Sequence, residues 1–127
     1  MSLMSTPLQP TASYAAIVGA TIIAFRERRG LQQGSLAQAI GVSQSTVSRI
    51  ERGAISISIE QLAAIAGELG TTPGELLVTA DRSVEQARQR GMRVVYGRRT
   101  TALTEGEVVV GAAAVLLLVA AALAGRK

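Results

Sequence analysis

Neither cysteine nor histidine occurs anywhere in the chain. Their absence removes disulfide frameworks, thiolate and imidazole metal sites, and the common nucleophile–base pairs of covalent catalysis. No carboxylate pair or glycine-rich phosphate loop stands out either. The chain therefore does not read as an enzyme, and no catalytic, cofactor-binding or metal-ligating residue is expected. Aromatic residues make up 2% of the sequence and tryptophan is missing, so any core must be aliphatic. Charged residues are sparse as well, 17% against roughly 25% in an ordinary soluble chain. Thirteen lysines and arginines outnumber nine acids, for a net charge of +4. Mean hydropathy is high at +0.33, and the excess sits in one C-terminal run. At 127 residues there is room for one small domain with appendages.

What the chain does have is a clear local signal at residues 31–53, LQQGSLAQAIGVSQSTVSRIERG. Leu36, Ala37 and Ile40 fall on one face of a helix. Gly41 breaks it, because glycine fits the left-handed conformation of a sharp turn. Ser43 is a good N-cap for a second helix over residues 44–52. Val47 and Ile50 form its inner face and leave Gln44, Ser45, Ser48 and Arg49 pointing outward; Gly53 ends it. A short helix that displays hydrogen-bonding side chains from its first turns suits insertion into a major groove.

This stretch, together with ISIEQLAAIAGELGTTPGELL further on, resembles the lambda-repressor/Cro type of helix-turn-helix domain, also called the XRE family, over about residues 18–77. The resemblance implies an all-α, five-helix DNA-binding domain. Carried over by position, it implies Gln44, Ser45 and Arg49 as base readers. Glutamine pairs bidentately with adenine and arginine with guanine. It implies that Gln33 contacts a phosphate and braces Gln44. Ser43, Ser48 and Arg52 complete the DNA-facing set through backbone or neighbouring contacts. The competing reading of Arg49 is a solvated arginine paired with Glu51 or Glu60.

The remaining segments divide the chain as 1–12, 13–79, 80–104 and 105–127. Residues 1–12, with two prolines and small polar residues, read as a flexible arm, either an idle tail or a contact to DNA or a partner. Residues 14–29 form a first helix with a buried stripe of Val18, Ile22 and Phe25. Its outer face carries Ala20, Thr21, Ile23 and Ala24 where the family usually has charge. That face is either a self-association surface or a mildly apolar solvated one. Gly34 weakens the first turn of the second helix. The loop at residues 54–58 has Ile55 and Ile57 where the family often places phosphate-gripping bases. Ser58 and Gln61 make a capping box ahead of a buried stripe of Ile59, Leu62, Ile65, Ala66 and Leu69. Thr72 and Pro73 then open a fifth helix that packs through Leu76 and Leu77.

Within residues 13–79 five arginines balance five glutamates. A neutral reader holds phosphates weakly, so the domain is expected to act as a dimer or higher oligomer, or to bind a protein. The positive excess lies in the linker at residues 80–104, with Arg82, Arg88, Arg90, Arg93, Arg98 and Arg99 against Asp81 and Glu85. A short helix over residues 83–90 and an apolar knot at Val94, Val95 and Tyr96 are expected within it. Thr104 to Glu107 makes another capping box, and residues 108–125, VVVGAAAVLLLVAAALAG, carry no polar side chain.

As one helix the run would rise roughly 27 Å, close to a bilayer's hydrocarbon thickness. The expectation is therefore a transcriptional regulator, in the repressor sense, anchored by a single C-terminal transmembrane helix. The preceding arginines would lie on anionic lipid with the N-terminus inside the cell. Its partners would be double-stranded DNA, a second copy of itself and membrane lipid. Two alternatives stay open. One is a soluble, cytoplasmic oligomeric repressor whose apolar C-terminal helix is an assembly core. The other is a membrane scaffold similar to RodZ, which uses such a domain to bind protein.

Overall fold

A computed structural model describes residues 9–97, 107–109 and 111–125. Six helices and three short strands follow in the order β1 (Gln9–Ser13), α1 (Tyr14–Arg28), α2 (Gln33–Ile40), α3 (Gln44–Glu51), α4 (Ile59–Glu68), α5 (Pro73–Gln89), β2 (Arg93–Val95), β3 (Glu107–Val109) and α6 (Ala112–Ala124).

The helix boundaries follow from local chemistry. The side chains of Ser13, Ser43, Ser58 and Thr72 each accept a hydrogen bond from the first turn of the helix they precede. Ser58 and Gln61 complete a reciprocal capping box. Pro73 opens α5, where its missing N–H costs nothing. Gly41 closes α2 at φ 75°, the left-handed conformation that turns the chain into α3.

α1 is the centre of the fold. Six consecutive residues, Ile17 to Ile22, are buried, so the helix has no solvated face along its middle. On one side Gly19 lies directly against the carbonyls of Ile50 and Glu51 at the end of α3, and a Cβ there has no space. On the other side α6 covers it. Val115 and Val119 join Ile17, Ile22, Leu36, Val47 and Ile65 in one continuous core. Ala20 and Thr21, expected on an outward self-association face, are buried, and Ile23 and Ala24 are half-buried. The face is apolar because another helix of the same chain occupies it.

This packing corrects the expectation of a membrane span over residues 108–125. Residues 107–109 form a strand, Gly111 is the N-cap of α6, and α6 has 13 residues. It is roughly 20 Å long, against about 30 Å of hydrocarbon. Among the described residues no helix is long and apolar enough to cross a membrane. The single-pass topology rested on that span, as did one of the two expected lipid contacts, the other being the arginine-rich linker. The Thr104 cap, Arg98 and Arg99 lie outside the described residues.

The all-α expectation is corrected too. β1 is the middle strand of a parallel sheet of order β2-β1-β3. Thr11, Ala12 and Ser13 pair with Arg93, Val94 and Val95 on one side. Gln9, Pro10 and Thr11 pair with Glu107, Val108 and Val109 on the other. The expected arm thus becomes structure from residue 9 onward, with Thr11 and Ala12 each 2% exposed. The apolar knot at residues 94–95 is β2, whose branched side chains suit a strand. α5 runs unbroken to Gln89, so the expected linker from residue 80 begins inside it and the expected short helix over residues 83–90 is its last turns. Ile59, expected in the buried stripe of α4, is 82% exposed. It lies one turn before the small cluster of Leu62, Ala66 and Leu76 that holds this helix.

Candidate nucleic-acid interface

α2 and α3 meet at the left-handed turn of Gly41. Leu36, Ala37, Val47 and Ile50 are buried between them and α1. The opposite side of α3 is open. Gln44, Ser45, Arg49 and Arg52 are exposed and Ser48 is half-buried, all on the eight-residue α3 or at its C-cap. At the N-cap the Ser43 hydroxyl accepts from the Thr46 N–H at 3.1 Å and lies 3.0 Å from the Ser45 hydroxyl. Arg52 Nε donates to the Ser48 carbonyl at 3.3 Å, which lays its side chain along the helix.

Beneath this surface is a hydrogen-bonded bridge that joins three helices. Glu51, 3% exposed, accepts from Arg26 Nε at 2.7 Å and from Arg26 Nη2 at 3.2 Å. Arg26 Nη1 donates to the Leu31 carbonyl at 2.8 Å, which ties in the chain between α1 and α2. Gln33 Nε2 donates at 2.7 Å to Glu51 Oε1, the oxygen that also accepts from Arg26 Nη2. With its nitrogen committed to Glu51, Gln33 turns its oxygen outward, where it accepts from Gln44 Nε2 at 3.5 Å. A chain of contacts thus runs from a buried charge pair to the first residue of the reading helix. A charge pair taken out of water persists only when its remaining hydrogen-bonding capacity is met, and here Gln33 and the Leu31 carbonyl meet it.

All seven residues expected at the interface, Gln33, Ser43, Gln44, Ser45, Ser48, Arg49 and Arg52, lie on or beside the α2–α3 unit. Gln33 is half-buried and touches Gln44, in the geometry of a brace. Sequence reasoning missed Arg26 and Glu51. Both sit at core spacing, Arg26 four residues after Ile22 and Glu51 four after Val47. A lone arginine and a lone acid on two inward faces are the signal of a buried pair. Glu51 is therefore no partner for Arg49. Among the described residues no group of three or more acidic, histidine or cysteine side chains could hold a metal ion.

Two short helices set at a left-handed turn, the second held from below and open above, define a helix-turn-helix protein of the XRE type. The profile of the family HTH_3, helix-turn-helix, matches residues 22–76. The chain is similar to the clp gene regulator ClgR from Corynebacterium glutamicum, with 33% identity over 61% of this chain and 83% of that one, at a TM-score of 0.58. A second crystal structure of ClgR matches at 32% identity over 54% and 88% of the two chains, TM-score 0.52. The restriction–modification controller protein C.Esp1396I shares the fold at 20% identity and a TM-score of 0.54, over 57% of this chain and 95% of that one. No curated protein matches the sequence. On this identity and coverage the chain belongs to the helix-turn-helix family HTH_3. The matched segment begins within α1 and ends within α5, so the three strands and α6 lie outside it.

Proposed function

We propose that the protein is a transcriptional regulator that reads specific DNA sequences by placing α3 in the major groove. The observation that carries this reading is the brace from Glu51 through Gln33 to Gln44, beneath an α3 surface that is exposed among the described residues. Rigid support under exposed hydrogen-bonding side chains is what base readout needs. In this reading Gln44, Ser45 and Arg49 face base edges. Gln33, Ser43, Ser48 and Arg52 hold sugar and phosphate. The similarity to ClgR, a regulator of clp genes, supports a gene-regulatory role. Repression is the simplest outcome, since a small domain on a promoter excludes other proteins from it.

Selection of bound sequences from a random duplex pool tests the reading. A defined site should emerge, and Gln44→Ala or Arg49→Ala should weaken binding to it by about 1–3 kcal/mol per lost bidentate contact, roughly 5- to 150-fold. Each should also relax the base preference at one position. A pool that yields no enriched site, or variants that bind as well as the parent, would sink base readout by α3.

A further inference from the structure

A groove of about 490 Å³ opens between α6 and the last turns of α1. That volume falls in the range of small-molecule sites, roughly 300–1,000 Å³. Ala24 and Arg28, which line it, fall about 140° and 180° round α1 from Gly19, the residue that touches α3. The groove therefore faces away from the reading helix. Its walls are aliphatic, with Ala24 from α1 and Leu116, Leu117, Ala120 and Leu123 from α6. Leu117 is 70% exposed, on a helix that is apolar at every position. A surface helix carries polar residues on such a side. Glu27 and Arg28, both exposed, complete the lining.

Glu27 is the anomaly. It stands in the last turn of α1, where the negative end of the helix dipole disfavours an acid. Arg26 beside it is committed to Glu51. Arg28 lies over the Phe25 ring, 5.9 Å from its centroid. Among the described residues the Glu27 carboxylate takes part in no hydrogen bond or ion pair.

We propose that this groove binds a free aliphatic α-amino acid in its zwitterionic form. The charges select the class of ligand. A lone carboxylate is drawn to Arg28 and repelled by Glu27. A lone ammonium is drawn to Glu27 and repelled by Arg28. The two residues are consecutive, so the ligand's own charges must lie close together. A free α-amino acid carries both on one carbon, the carboxylate for Arg28 and the ammonium for Glu27. Peptide bonds remove both charges, so a residue within a chain lacks the match. The apolar walls take the ligand's side chain, and the small Ala24 and Ala120 leave room for it. Arg26, on the same turn of α1, anchors the bridge beneath α3, so the ligand rests on the turn from which that bridge starts. The site goes beyond the proposed reading of DNA and does not depend on it.

Methyl-resolved NMR of the full chain, titrated with free leucine, tests the site. The methyl signals of Ala24, Leu117, Ala120 and Leu123 should shift and saturate. Isocaproate keeps the apolar body and the carboxylate of leucine, and isoamylamine keeps the body and the ammonium. Each should bind about fivefold more weakly than leucine or worse, the scale of one exposed charge pair. Glu27→Gln should weaken leucine about fivefold and strengthen isocaproate. Arg28→Gln should weaken leucine about fivefold and strengthen isoamylamine. The gain for the matching probe shows that the groove of each variant is folded. Groove methyls that no probe moves overturn the site. Isocaproate or isoamylamine binding as well as leucine overturns the zwitterion and leaves a plain acyl or amine occupant. A variant that loses leucine without gaining its matching probe overturns the roles given to the two charges. Methyl shifts that follow protein concentration alone place a second copy in the groove and overturn the ligand as well. A chain that binds leucine here but selects no DNA site would keep this site and remove the proposed function.

Discussion

Glu51 is the residue whose loss separates stability from readout. Its carboxylate is buried and holds both Arg26 and Gln33. Glu51→Ala leaves a buried guanidinium without its counter-charge and should cost about 3–5 kcal/mol. Replacing both partners, Arg26→Met with Glu51→Leu, removes that isolated charge and should recover most of the loss in a denaturant melt. DNA affinity should stay lowered in the double variant, because Gln33 has lost the acceptor that turns it toward Gln44. Full recovery of both quantities would show that the brace has no part in reading. Two glycines give a second contrast. A Cβ on Gly34 would meet Gln44 Oε1 at an ordinary 3.6 Å, so Gly34→Ala should stabilise the protein by up to about 1 kcal/mol through helix propensity. A Cβ on Gly19 would enter the backbone of α3, so Gly19→Ala should destabilise by about 1–3 kcal/mol or more. A melt of each variant checks both signs.

Two elements outside the family match, β1 and α6, determine how the fold closes. α6 belongs to the core, so Leu118→Ala, at a position 1% exposed, should cost about 2–5 kcal/mol. Leu117→Ala, one residue away and exposed, should change the stability of a single copy by less than about 0.5 kcal/mol. Equal effects would mean that the inner face of α6 is not packed. At the start of α1, the Tyr14 hydroxyl donates to Asp81 Oδ1 at 2.7 Å and so fastens α1 to α5. Burial, and then the Asp81 carboxylate, hold the Tyr14 phenol well above its ordinary value. The folded chain therefore keeps this proton more tightly than the unfolded chain. The resulting stability is complete below about pH 10 and is lost as pH rises beyond it. Tyr14→Phe should flatten that alkaline limb and cost about 1 kcal/mol at neutral pH, which melts at neutral and alkaline pH would measure.

The contrast between these elements and α2–α3 shows what a sequence makes legible. The reading unit was visible because its signals are local: a turn glycine, a capping serine and short apolar faces. β1 was not, because QPTAS has no alternating pattern and its pairing partners lie some 80 to 98 residues away. An apolar helix without a polar face is compatible with lipid or with protein. Only the matching apolar face of α1, some 90 residues earlier, shows which one covers it. The buried bridge was missed: Glu51 reads in the sequence as a solvated partner for Arg49, and the core spacing that marks it and Arg26 as inward does not show that they meet.

For the molecule as a whole, charge sets how DNA is held. Residues 13–79 carry five positive and five negative side chains. Arg26 is spent on Glu51 inside the protein. Among the described residues, the cations on α3 and its C-cap are Arg49 and Arg52, both exposed. Each phosphate neutralised lowers the slope of log affinity against log salt by about 0.9 on duplex DNA. Arg52 on a phosphate gives a slope of about −1 per bound copy, and at most about −2 where Arg49 neutralises one as well, shallow for a DNA reader. Arg52→Ala should reduce the slope by about one without altering the preferred sequence, since a backbone contact carries no base information. Arg49→Ala should relax the preference itself. Fluorescence anisotropy across a salt series, on the selected site and on a scrambled one, measures both. A slope much steeper than −2 per copy would mean that arginines beyond α3 grip the backbone. The exposed Arg82, Arg88 and Arg90 at the far end of α5 are the described candidates. The duplex would then have to reach α5 as well as α3, and neutralising those three together would return the slope to the value that α3 alone supplies.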